Sequence, residues 1–213
     1  MPQLIAMIIV VVGAMIYMFQ TFGGTGDKIE GIAQKSSIIT EINNVKNGVQ
    51  LALRGESIKA TDSTVADKAK NLQDIANLEF FPEQINNQLK DPAAGKTNTY
   101  QAISFGGKGS NTLEITLVLP SATDAGPNAR PGLFIDLSQG SLATNAGFLE
   151  KQLKTDLGAL GSIDSSAASA SYNNTLDAEG DIGTAATGGS DSDGKFIIYF
   201  KDLPRGMIDK TKS

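Results

Sequence analysis

Hydrophobic and polar positions give the chain three textures. Over residues 4–19 every residue is apolar, glycine or tyrosine, and only Gln20 and Thr21 intervene before Phe22. As a helix, residues 4–22 would be about 28 Å long, close to the roughly 30 Å hydrocarbon core of a bilayer. The first charged residue is Asp27. Beyond it Ile29, Ile32, Ala33, Ile39, Ile42, Val45, Val49, Ala52 and Leu53 recur mostly at i, i+3, i+4 spacing. That spacing predicts an amphipathic helix with one apolar stripe and Gly55 as its stop. Its polar face is expected to carry Lys28, Lys35, Glu41, Lys46 and Arg54. Gly23, Gly24 and Gly26 separate the two helical stretches. Each costs about 1 kcal/mol relative to alanine inside a helix, so a soft joint is expected there.

The third texture is shorter in period. TVADKAKNLQDIANLE, with Val65, Ala69, Leu72, Ile75, Ala76 and Leu78 on one side, predicts a second amphipathic helix over 64–79. Ser63 or Thr64 would cap it, and Thr64-x-x-Asp67 could form a capping box. Pro82 is expected at the first position of a short third helix, EQINNQL. Residues 100–105, 113–119 and 133–137 read as strands of a half-buried sheet, and KFIIYF as a buried strand near the C-terminus. NAGFLEKQLKTDLGAL places Phe148, Leu149, Leu153, Leu157 and Leu160 at helical spacing. Residues 162–189 are rich in Ser, Ala, Thr and Gly and predict a long exposed loop or surface hairpin. The expected fold class is α+β: a long N-terminal helix, apolar in its first half, and a head of short helices and an antiparallel sheet. Three segments follow: 1–26 with the apolar run and glycine joint, 27–55 as the helix packing on the head, and 56–213 as the head.

Composition narrows the chemistry. The 213 residues include neither Cys nor His, which closes Ser-His-Asp and Cys-His catalysis, disulfides, and zinc or haem sites built on those ligands. Formal net charge is −5 and no two Lys/Arg residues are adjacent, so no nucleic-acid interface through a basic patch is expected. FGGKGS lacks the spacing of a phosphate loop and is expected to link two strands. In GGSDSDGKF, Asp191 and Asp193 are a metal candidate, a fragment of a calcium loop. The competing reading is a tight Asp-Gly turn into the last strand. Asp177, Glu179 and Asp181 read as a solvated acidic loop, with a weak cation site as the alternative, and Asn173-Asn174-Thr175 matches a glycosylation sequon. No catalytic residue and no cofactor is expected.

The apolar run has nothing basic before it and no small-residue cleavage site after it, so it reads poorly as a signal peptide. Nor does either flank carry the Lys/Arg excess that would orient an ordinary anchor. Met1, the run over residues 4–22, the weak joint at Gly23 and Gly24 and the amphipathic helix to Arg54 together resemble the type IV pilins. The likeness leans towards the type IVb and conjugative thin-pilus kind. NLQDIANLEFFPEQI resembles the short helix and Phe-Pro corner that follow the long helix in that family.

The resemblance implies a structural subunit of an extracellular filament, held in the inner membrane before assembly by the pilus machinery. A basic leader removed ahead of Met1 belongs to the same expectation. Met1, Leu4, Ile5, Ile8, Ile9, Val12, Ile16, Phe19 and Phe22 would then pack against identical subunits. Two departures matter. Where the family usually carries a glutamate that neutralises a neighbour's N-terminal amine, this chain has Ile5, and the family's C-terminal disulfide cannot form. The alternative is a single-span membrane-anchored binding domain that never polymerises.

Overall fold

A computed structural model describes residues 31–211. Helix α1 occupies 31–54; from Ile42 its inner stripe follows the predicted spacing, but Ile38 rather than the expected Ile39 is the buried position before it, and the expected Ile32 is 64% exposed. Ile38, Ile42, Val45, Val49, Ala52 and Leu53 are completely buried. Gly48 lies on the same side because a Cβ there would stand 2.0 Å from the Phe81 ring. The helix ends where expected, but Glu56 rather than Gly55 takes the left-handed conformation, with φ 51°. The Ser57 N–H then donates to the Ala52 carbonyl at 2.9 Å.

Four short elements lead into the sheet: α2 (Leu72–Asn77), α3 (Glu83–Lys90), β1 (Thr99–Gln101) and a 3-10 turn at Ile103–Phe105. Strands β2 (Glu114–Val118) and β3 (Gly132–Asp136) follow, then a 3-10 stretch, Gly140–Asn145, that runs into α4 (Ala146–Leu157). Strands β4 (Gly161–Asp164) and β5 (Lys195–Phe200) complete the order. The sheet runs β1-β2-β3-β5-β4, every pair antiparallel, with β5 between β3 and β4. The α+β expectation holds.

The two-residue period of the strands sorts side chains onto two faces. Ile115, Leu117, Leu133, Ile135, Phe196, Ile198 and Phe200 join the large core with α1 and the other helices. Val118, Phe134, Ile197 and Tyr199 face the other way and form a second, smaller core. That second core is closed by Ala167, Tyr172, Leu176, Ile182 and Ala186, all from the stretch between β4 and β5. The stretch expected to be an exposed loop is therefore a strand followed by a strap over the sheet, with isolated bridges at Ala167–Gly188 and Leu176–Ile182. Small, polar residues hid the few apolar anchors.

Other boundaries moved for identifiable reasons. The helix expected over 64–79 shrinks to α2, capped by the Asn71 side chain on the Asp74 N–H rather than by Ser63 or Thr64. Upstream, Asp67 adopts φ 58° and Ala69 forms a parallel bridge with Ile58. Pairing that buries Ile58 and Ala69 outcompetes the local helical period. Pro82 is the N-cap of α3, one residue earlier than its expected position. The first strand stops at Gln101 because the next residues turn back towards α1. Along α4, Leu149, Leu153 and Leu157 are buried, whereas Phe148, and Leu160 just past the helix end, are 53% and 48% exposed.

Candidate functional site

The predicted assembly residues Met1, Leu4, Ile5, Ile8, Ile9, Val12, Ile16, Phe19 and Phe22, and the joint at Gly23, Gly24 and Gly26, lie outside the described residues. Within the described residues, α1 is tied to the head by polar contacts as well as by its apolar stripe. Two residues expected on its polar face, Glu41 and Lys46, instead point inward and are 3% and 9% exposed. Each finds a partner that repays its loss of water.

Glu41 accepts from the Tyr100 hydroxyl at 2.8 Å, from the Ser104 N–H at 2.8 Å and from the Ser104 hydroxyl. The Tyr100 oxygen in turn accepts from the Ile103 N–H at 3.2 Å. Burial pushes the Tyr100 hydroxyl well above its ordinary value, opposed by that N–H and reinforced by Glu41, so Tyr100 stays a donor. These bonds bend the chain after β1 and fix it to α1. Lys46 pairs with Asp202, just past β5, and its ammonium sits 4.9 Å from the centre of the Phe200 ring. From residue 38 to Leu51 the exposed positions of α1 are Thr40, Asn47 and Leu51, none of them charged.

The 190–194 turn holds the metal candidates. Asp193 accepts from the Ser190 N–H at 3.0 Å and the Lys195 N–H at 2.9 Å, and Gly194 takes φ 80°. This is the tight Asp-Gly turn. Asp191 accepts from the Ser165 hydroxyl and from Lys154 at 3.3 Å, and Lys154 also donates to the Ser165 oxygen at 2.9 Å. Those two partners hold the Asp191 carboxyl below its ordinary value. These bonds tie α4 to the residue after β4 and to the 190–194 turn. Among the described residues no group of three or more metal-ligating side chains is brought together.

The acidic loop residues are likewise tied into the fold. Asp181 pairs with Lys201 at 2.7 Å and accepts from Ser162, while Asp177 accepts the Asp181 N–H at 2.8 Å. The sequon amide of Asn173 donates to Asp164 at 3.0 Å and to the Thr184 carbonyl at 2.7 Å, so it is committed to the strap. The glycines of FGGKGS all take positive φ and connect the 3-10 turn to β2, as expected of a linker.

Among the described residues three buried charges, Arg130, Glu150 and Asp164, escaped the sequence reading. Arg130, 4% exposed, donates to the carbonyls of Ala178 at 2.6 Å, Lys201 at 3.2 Å and Glu179 at 3.3 Å. No periodic signal marks it. Glu150, 1% exposed, accepts the Gly194 N–H at 2.8 Å through Oε2, while its buried Oε1 has no hydrogen-bond partner. Burial first, then the charges of Asp193 and Asp191, push its carboxyl up to about 7 against the Gly194 N–H and Lys154. Its spacing from Ala146, Leu153 and Leu157 was the available sign that position 150 faces inward.

No family model, curated protein or solved structure matches the chain. Among the described residues no helix is long and apolar enough to cross a membrane.

Proposed function

We propose that this chain is a structural subunit that polymerises into an extracellular filament in the manner of the type IV pilins. One observation carries the reading. The stripe of α1 from Ile38 to Leu53 is already fully buried within residues of its own head, and Glu41 and Lys46 lock it there. The apolar run over residues 4–22 precedes that helix in the chain and needs a partner of its own, lipid or copies of itself.

The mechanism uses the same side chains twice. Before assembly, residues 4–22 are held in a bilayer. On assembly, Leu4, Ile5, Ile8, Ile9, Val12, Ile16, Phe19 and Phe22 exchange lipid for neighbouring subunits. Head-to-tail contacts that do not close into a ring give an open helical polymer. With Ile5 in place of an acidic residue, packing of apolar side chains must hold the core without an N-terminal ion pair.

Electron microscopy of material sheared from the producing cells, with the subunit identified by mass, tests the reading. Thin filaments composed mainly of this chain are expected. Its retention in the membrane fraction with no filaments would favour the anchored, non-polymerising domain instead.

A further inference from the structure

An open cleft of about 540 Å³ lies between the start of α4 and the 190–194 turn. Its volume is within the roughly 300–1,000 Å³ common for ligand sites. The turn sits directly on the helix: a Cβ on Gly147 would stand 2.4 Å from the Ser192 carbonyl oxygen. The wall is fixed from beneath by the bond between the Gly194 N–H and buried Glu150.

Phe148 lines this cleft and is 53% exposed, on a helix whose leucines are buried. Around it stand the exposed hydroxyls of Thr144 and Ser192 and the ammonium of Lys151. Asp193, also in the wall, carries the opposite charge. The cleft thus joins an aromatic face to hydroxyl groups, and its one cation and one carboxylate offset each other. A phosphate or an amine would meet an unfavourable charge on one side. A neutral polyhydroxylated ring suits both features: its C–H face can lie on Phe148 and its hydroxyls can reach Thr144, Ser192 and Lys151.

We propose that the cleft formed by Phe148, Lys151, Thr144 and Ser192 is a binding site for a neutral sugar. It goes beyond assembly, because it gives the head a recognition surface whether or not the chain polymerises.

Saturation-transfer NMR on the full chain in a detergent without a sugar headgroup tests it, with glucose, galactose, N-acetylglucosamine and N-acetylgalactosamine as probes. Transfer to the ring C–H protons of at least one sugar is expected. Phe148→Ala should weaken that sugar at least about tenfold while leaving the melting temperature unchanged, since the ring is exposed. Ser192→Ala should weaken it less. Absence of transfer from all four sugars overturns the proposal, as does a Phe148→Ala variant that binds like the parent. Oxidative footprinting of filaments reads the competing outcome. Protection of Phe148 in the polymer without sugar binding would make this face a contact between copies, and would leave the filament reading standing.

Discussion

The two faces of the one sheet are covered by opposite means. On the inner face, long aliphatic and aromatic side chains from β2, β3 and β5 meet the stripe of α1 and the leucines of α4. On the outer face, a strap of small residues supplies only a few apolar anchors and is held by polar stitches. The Asn173 N–H donates to the Tyr199 hydroxyl at 2.8 Å, Asp164 accepts the Ala186 N–H at 2.9 Å, and Arg130 gathers three carbonyls. Tyr172 meets Tyr199 edge-on, ring centres 5.8 Å apart. The inner face is held by buried area, which is tolerant of direction. The outer face is held by directional bonds, each with a specific partner.

Mutations should separate the two. The largest loss is expected at Phe196→Ala, on the inner face, at about 3–5 kcal/mol in denaturant unfolding. A loss below about 1 kcal/mol would mean that area does not dominate there.

The inner side also buries polar groups, among them Glu150. Its carboxyl rises from 4.5 to about 7 on folding, so the folded chain holds more protons than the unfolded chain between those values. Stability should therefore fall as pH rises from about 4.5 to 7 and then level off, by at most about 3 kcal/mol. Glu150→Gln should flatten this slope, as followed by thermal melts across that pH range. An unchanged slope in the variant would place the titrating group elsewhere.

On the outer face, Arg130→Ala leaves the carbonyls of Ala178, Glu179 and Lys201 without that donor and should cost about 2 kcal/mol. Hydrogen exchange should speed up across the strap before it does in α1. Uniform acceleration across the head would break the distinction between the faces.

The smallest effect is expected at Lys68→Ala, which removes a partly exposed pair with Asp209 and should cost under about 1 kcal/mol. The Lys68 ammonium, followed by the Thr211 bonds, holds the Asp209 carboxyl below its ordinary range. Its small contribution is present above the unfolded carboxylate value and is lost as pH falls from there through the lower folded value. A loss that persists in acid would assign it to packing instead.

The same contrast explains what could be read from the chain. Ile42 to Leu53, the apolar run of KFIIYF and the leucine period of α4 are sustained apolar signals, so the inner face was legible. The strap was not, because Ala167, Leu176 and Ile182 are spaced irregularly among Ser, Thr and Gly and are placed by bonds between distant residues. Glu41 and Lys46 misled for a related reason. On a helical wheel a charge marks the wet side, yet here Tyr100, Ser104, Asp202 and Phe200 supply partners that only the folded chain brings near. Asp191 and Asp193 lie in the tight turn that one of the two readings expected, with backbone N–H groups and Lys154 bonded to their carboxylates. The proposed cleft had no signal beyond Phe148, which helical spacing had grouped with the leucines of the same segment.

Photo-crosslinking from Ile8, Val12 and Ile16 tests the central proposal most directly, each residue replaced singly by a photoreactive amino acid in producing cells. If these side chains move from lipid to neighbouring subunits, sheared material should contain ladders of this chain joined to itself, absent when the probe is at exposed Asn47. Adducts with lipid alone, in every fraction and at all three positions, would contradict the account and leave the run as a simple anchor.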